Sequence, residues 1–219
     1  MECHICDGAV ESFVDEKTNI TYYHCYTCEY IFKSPECYQG IDEQKARYDL
    51  HENDENDEGY RAYFQRFLDF VLPLVKEVEN AFDFGCGKST LLADMLNNIG
   101  VICDYYDPIY HPDLPNNSKK YDLIVSTEVF EHLHDPRSVF CSLVARLKEG
   151  GYLAIQTQFH PNDRVAFQEW YYHKDPTHIV FFRPKTFQVL AERFGCKVLA
   201  DNGKNMIVLK KQTSDRSGV

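Results

Sequence analysis

Asp83-Phe84-Gly85-Cys86-Gly87-Lys88-Ser89-Thr90 admits two readings. Its last four residues end as a nucleoside-triphosphate loop ends. Its first five read as a strand running into a turn that a nucleoside-containing cofactor can approach. The triphosphate loop requires Gly-x-x-x-x-Gly-Lys-Ser, so a glycine should stand five residues before Gly87. Phe82 stands there. A bulky side chain where the backbone must turn and offer N–H groups to phosphate breaks the match.

The flanks fit the second reading. Ala81-Phe82-Asp83-Phe84 is a short apolar run with one acid, suited to a strand. Leu91, Leu92, Met95, Leu96 and Ile99 then make a helical stripe that Gly100 closes, and residues 101–106 form a second apolar run ending at Asp107-Pro108. This is a βαβ unit with a glycine turn after its first strand and an acid at the tip of its second. The acid lies about twenty residues beyond the glycines, where a carboxylate can accept hydrogen bonds from ribose hydroxyls.

Further along, Tyr121-Asp122-Leu123-Ile124-Val125-Ser126-Thr127-Glu128-Val129-Phe130-Glu131-His132-Leu133 reads as a strand entering a polar loop. Asp135 suits an N-cap and Pro136 the first position of a helix. That helix buries Val139, Phe140, Leu143, Val144 and Leu147, and Gly150-Gly151 is expected to stop it before a strand over residues 152–157. A helix over residues 60–71 carries Tyr63, Phe64, Phe67, Leu68 and Val71 at helical spacing, with Pro73 to end it. Residues 184–195 read as a helix, and 197–200 and 206–209 as strands. The tail from Gln212 is expected to be disordered.

The first 33 residues have a separate grammar. Cys3-His4-Ile5-Cys6 and Cys25-Tyr26-Thr27-Cys28 are two Cys-x-x-Cys pairs separated by eighteen residues. That spacing suits a zinc ribbon, in which two tight turns present four thiolates to one structural Zn²⁺. The stretch between them reads as a hairpin, and a metal would supply stability that so short a segment lacks. His4 or His24 as a replacement ligand would not improve the spacing. The expected organisation is a ribbon-like segment over 1–33, a connector and helix over 34–79, a main domain over 80–211 and a tail over 212–219.

The chain has 219 residues and a formal net charge of −11, which argues against binding nucleic acid through general attraction to phosphates. Acidity is densest at residues 51–58, which read as a solvated loop. No apolar run approaches the roughly 20 residues that span a bilayer, and the start lacks a secretory profile. The expected location is the cytoplasm.

Over residues 82–211 the order of segments resembles the class I S-adenosylmethionine-dependent methyltransferases, which implies a Rossmann-like α/β fold with an antiparallel last strand. Asp-Phe-Gly-Cys-Gly, Asp107 and the Thr-Glu-Val-Phe-Glu-His loop carry the resemblance. It implies that Gly85 and Gly87 face the methionine part of the donor, that Asp83 sits near its ammonium end and that Asp107 binds the ribose. Thr127 and Glu128 would line the donor pocket. Two departures stand out: Ser89 replaces the third glycine of the first motif, and the third strand with its adenine-contacting acid is hard to find, with Asp113 a weak candidate.

The acceptor side rests on Glu131, His132 and residues 159–178, a segment with the only Trp and three of the nine His residues. His132, His173 and His178 are the candidate bases within an aromatic wall. An equally available reading is a packed lid whose histidines cap backbone groups. Tyr48, His51 and Tyr60 are candidates to close the donor pocket from the N-terminal side. A small-molecule methyl acceptor is the expected partner. Two other readings stay open: methylation of RNA or protein with the ribbon as reader, although Lys17 and Lys33 are its only cations, and a non-catalytic donor-binding regulator.

Overall fold

The computed structural model describes residues 1–49, 57–116 and 118–213, without the side chains of residues 41, 42, 44 and 48. Residues 51–56 of the expected solvated loop over 51–58, His51, the Tyr48 side chain and residues 214–219 of the expected tail lie outside the described residues. Asp57 and Glu58 instead cap and begin a helix, and Gln212 donates its N–H to Gly195 O at 2.8 Å.

Three short strands open the chain: β1 (Glu11–Asp15), β2 (Ile20–Cys25) and β3 (Tyr30–Lys33). β1 and β2 form the expected antiparallel hairpin. Helices α1 (Ile41–Tyr48) and α2 (Glu58–Val71) follow. The Asp57 carboxylate caps α2 by accepting the Gly59 N–H, and Phe64, Phe67, Leu68 and Val71 form its buried stripe. Pro73 sits in the single 3-10 turn that ends it.

The main layer then builds in order: β4 (Asn80–Phe84), α3 (Leu91–Asn98), β5 (Ile102–Tyr106), β6 (Tyr121–Thr127), α4 (Pro136–Arg146) and β7 (Leu147–Gln156). α5 (Arg164–Glu169), β8 (Val180–Phe181), α6 (Pro184–Arg193), β9 (Cys196–Asp201) and β10 (Met206–Lys211) complete it. The six-stranded sheet has the order β5-β4-β6-β7-β10-β9. β5, β4, β6 and β7 pair in parallel, and β10 runs antiparallel to both neighbours. No third strand lies between β5 and β6 among the described residues, so β5 is an edge. The chain leaves β4 toward β5 and returns on its other side as β6. The reversal places a crevice at the carboxyl ends of β4 and β6, the usual ligand position in open α/β sheets.

One expectation fails in detail. Gly150-Gly151 does not end α4, which stops at Arg146, capped at its start by Asp135 as expected. Both glycines lie within β7. A Cβ on Gly151 would lie 3.0–3.2 Å from the carbonyl oxygens of Lys148, Tyr121 and Asp122, so this glycine permits close strand contact.

The first 33 residues do not stand apart. β3 pairs antiparallel with β8, giving a second sheet of order β1-β2-β3-β8. Cys3, Ile5, Cys25, Cys28, Tyr30 and Phe32 share one apolar core with Phe82, Phe130, Phe140 and Phe187. The opposite face of the main sheet packs against α2 and α3 in a second core. A buried contact, Asp15 Oδ2 to His173 Nε2 at 3.2 Å, ties β1 to the segment between α5 and β8.

Candidate active site

A cavity of about 1340 Å³ opens where the strand order reverses. Single small-molecule pockets run to about 1000 Å³, so this one has room for two ligands. Gly85, Cys86 and Gly87 contribute one end, next to Asp107; Thr127 and Glu128 follow, and His132, Tyr172 and His178 form another part of the wall. From the N-terminal side, Arg47, Tyr60 and Tyr63 close it.

The glycine turn is fixed on three sides. The N–H groups of Gly85 and Cys86 both donate to Tyr106 O, at 2.8 and 3.1 Å, which ties the turn to the end of β5. Gly85 has φ +80°, and a Cβ there would overlap the isopropyl group of Val129. Gly87, at φ +68°, donates its N–H to Asp107 Oδ2 at 3.2 Å. Asp107 Oδ1 accepts from Ile109 N at 2.8 Å and Tyr110 N at 3.0 Å. A carboxylate has about four acceptor sites, so one remains after these three bonds.

Asp83 is buried and does not contribute to the cavity wall. Its Oδ1 has no hydrogen-bond partner, and burial, with the nearby charge of Asp107, pushes the carboxyl up to about 7. Ser89 Oγ accepts the Leu91 N–H at 3.2 Å, a cap at the start of α3. Asp113 is exposed and absent from the cavity wall.

A carboxylate and phenol cluster occupies the loop after β6. Glu128 adopts φ +54°, a conformation that costs an L-residue roughly 1–2 kcal/mol, and its N–H donates to Gln156 O at 2.8 Å. The Tyr63 hydroxyl donates to Glu128 Oε1 at 3.1 Å. The Tyr172 hydroxyl lies 2.8 Å from Glu128 Oε2 and 2.6 Å from Glu131 Oε1. Burial and then the charge of Glu131 push Glu128 up to about 8, and burial raises Glu131 as well.

Among the histidines, burial lowers His132, and burial together with His132 drives His178 down to about 3. Their rings meet edge to face at 4.8 Å. His173 is elsewhere: its Nδ1 lies 2.6 Å from Trp170 O and its Nε2 faces Asp15. His160 is buried between the carbonyl oxygens of Pro161 and Glu29, and burial lowers it to about 4. Trp170 packs on Phe167, Tyr172 and Phe181 and does not reach the cavity wall. The packed-lid reading thus describes His160, His173 and Trp170, while His132 and His178 face the cavity.

Three features escaped the sequence reading. Tyr63 reads as one more core residue on an apolar stripe, and only its hydroxyl distinguished it from Phe. The left-handed backbone of Glu128 has no sequence signal. The Arg47–Asp175 ion pair, 2.9 Å, joins residues far apart in the chain.

At the other end of the molecule, Cys3 Sγ and Cys28 Sγ are 3.5 Å apart, as are Cys6 and Cys25. All four sulfurs lie within 4.8 Å of one another. Tetrahedral bonds of about 2.3 Å would set them roughly 3.8 Å apart, so the cluster fits zinc; a disulfide needs about 2.05 Å. His4 and His24 lie outside it, tilted against the rings of Phe32 and Tyr26.

Comparison with known proteins agrees with this geometry. The model of a methyltransferase domain family matches residues 56–201. The chain belongs to that family and is a class I S-adenosylmethionine-dependent methyltransferase. No curated protein sequence matches it. Similar folds occur in the Haloferax volcanii complex between the Trm112 methyltransferase activator and a methyltransferase (TM-score 0.55, 15% identity, 75% of this chain and 97% of that one). N-methyltransferase NodS from Bradyrhizobium japonicum WM9, solved with S-adenosyl-L-homocysteine, gives 0.51 at 14% identity over 77% and 97%. An O-methyltransferase family protein from Burkholderia thailandensis gives 0.51 at 13% over 78% of this chain, which spans only 64% of that protein. Identities this low speak for the fold alone.

Gly85→Ala is expected to destabilise the protein by about 2 kcal/mol or more, from the positive φ and the overlap with Val129. Urea unfolding checks this, and a loss under 0.5 kcal/mol, on the order of a surface substitution, would contradict the tight turn.

Proposed function

We propose that the cavity holds the methyl donor at the glycine turn and a small-molecule acceptor beside His132, Tyr172 and His178. The observation that carries this reading is the continuity of the space, which joins both groups of residues in one cavity larger than a single ligand needs. Gly85 and Gly87 let the backbone approach the methionine part of the donor. Asp107, already oriented by three backbone N–H groups, uses its remaining acceptor capacity on the ribose. Thr127 and Glu128 line the boundary between donor and acceptor. Asp83 acts on the donor's ammonium from behind the turn, through its buried charge.

The donor, when bound, supplies an electrophilic methyl group on a sulfonium. The chain aligns the acceptor in line with it and excludes water. An acceptor hydroxyl, amine or carbon acid loses its proton as the new bond forms. Burial holds the imidazoles of His132 and His178 neutral, but it drives His178 down to about 3 and so makes it a weak base, which leaves His132 as the better acceptor for that proton. Four thiolates leave a zinc ion no open position, so the metal at Cys3, Cys6, Cys25 and Cys28 is structural. Elemental analysis of reduced protein should find it.

The ribbon's chemistry favours a small acceptor over RNA. Lys33 is buried and donates to Asp175 O, and Lys17 pairs with Glu169 at 2.6 Å. Lys17 alone is exposed, and a single cation beside an acid is a poor match for a phosphate backbone. Label transfer tests the reading: protein, methyl-labelled donor and fractionated extract should place label in the low-molecular-weight fraction. Label found in RNA or protein would overturn the small-acceptor assignment, and label found nowhere would favour a regulator.

Asp83 gives a pH prediction. Its folded pKa near 7 exceeds the unfolded value of 3.8, so the native state holds the proton more tightly. Stability contributed by the neutral form is present below about pH 4 and is lost as pH rises through 7. A donor ammonium nearby offsets that loss. Melting temperatures with and without S-adenosylhomocysteine should therefore diverge between pH 5 and 7, on the order of the window between the two pKa values. In Asp83→Asn the divergence should shrink; equal divergence in both proteins would remove Asp83 from donor binding.

A further inference from the structure

We propose that Glu131, His132 and His178 form a second metal site, for a divalent first-row transition ion, set between the two imidazoles on the acceptor wall of the cavity and the buried Glu131 carboxylate behind them. The ion would hold the acceptor through an oxygen or nitrogen lone pair. This rests on the methyl-transfer reading of the same cavity and changes one step of it: an ion there commits both Nε2 lone pairs, so a metal-acidified acceptor gives its proton to water rather than to an imidazole.

The three residues come from two places. Glu131 and His132 occupy the single 3-10 turn Phe130–His132 after β6, and His178 precedes β8. One ligand atom from each lies within 4.8 Å of the others, and His132 Nε2 is 3.9 Å from Glu131 Oε1. Bonds of about 2.0–2.2 Å to nitrogen and oxygen would draw the three inward by roughly an ångström.

Ligand orientation is the stronger observation. His132 Nδ1 lies 2.9 Å from Thr177 O, and His178 Nδ1 lies 2.8 Å from Tyr172 O. A carbonyl oxygen only accepts, so each Nδ1 carries the proton and each Nε2 keeps its lone pair. Metal-binding histidines are held in this way, with the second ring nitrogen donating to a carbonyl or carboxylate. The supports also interlock. Thr177 adjoins His178 in the chain, and Tyr172, whose carbonyl orients His178, donates its hydroxyl toward Glu131.

A separate observation points to a cation. Glu131 is fully buried, and its Oε2 makes no hydrogen bond. Glu128, half-buried at the cavity wall, lies within reach of the same Tyr172 hydroxyl, so two carboxyl groups crowd one phenol. Among the described residues no Lys or Arg forms an ion pair with either. A divalent ion would offset both charges. Two imidazoles and a carboxylate select a borderline ion such as Zn²⁺, Fe²⁺, Co²⁺ or Mn²⁺, and leave positions open for an exogenous ligand. The four-thiolate cluster has no such opening.

The test titrates Co²⁺ into the full chain with its thiolate cluster already loaded with zinc. Calorimetry should detect one further ion per chain, with a visible spectrum free of thiolate charge transfer. His178→Ala and Glu131→Gln should each weaken it about tenfold or more. Binding of S-adenosylhomocysteine, measured on the same samples, reports whether the donor site is intact. A crystal of the unaltered protein soaked with Co²⁺ should give an anomalous peak between the Glu131 carboxylate and the two imidazoles, a readout that needs no variant. No second ion, or one that both substitutions leave unweakened, would overturn the metal site. With donor binding intact, that outcome leaves the methyl-transfer reading standing.

Discussion

The space a Cβ would need at Gly85 is already filled by Val129. This contact sets the turn after β4 against the loop after β6, two segments that follow strands adjacent in the sheet but separated by a crossover. The turn can be so tight because Gly85 and Gly87 both adopt positive φ. The loop can return toward it because Glu128 also takes a left-handed conformation. Everything the cavity brings together depends on that apposition: the Asp107 carboxylate on one side, and the carboxylates and imidazoles on the other.

The second dependency runs through the ribbon. Its last strand pairs with β8, directly after the segment that carries Tyr172 and His178. Lys33 donates to Asp175 O and Asp15 meets His173, so two buried charged side chains of the ribbon hold the same segment. Arg183 reaches Glu29 at 2.8 Å, and Thr186 donates to Cys28 O at 2.8 Å, which fixes the second thiolate turn to the start of α6. A metal held by the four cysteines would therefore also order the part of the cavity wall that Tyr172 and His178 form. The cysteines themselves lie in the core, away from that wall.

Much of the fold was legible because its signals are local. The glycine turn, the stripe of α3, the Asp135-Pro136 start of α4 and the β1–β2 hairpin each follow from residues within one or two turns of chain. Failures came where distant segments decide. Gly150 and Gly151 look like a helix stop, yet Gly151 serves contact with β6, which no neighbouring residue announces. β8 has two residues and exists only because β3 lies beside it. His132, His173 and His178 are equivalent as letters. Burial against Asp15 removes His173 from the cavity, while two backbone carbonyls turn His132 and His178 toward it. Asp107 was legible as the acid at the tip of β5, but its three backbone hydrogen bonds, which orient the carboxylate, were not.

The most direct measurement of the central claim is a crystal structure of the protein with S-adenosyl-L-homocysteine. The account predicts the amino-acid part against Gly85 and Gly87, a ribose hydroxyl on Asp107, and the sulfur directed toward the side that carries Tyr172 and His178. Density for the compound outside this crevice, or lying in it with the sulfur pointed away from that side, would contradict it.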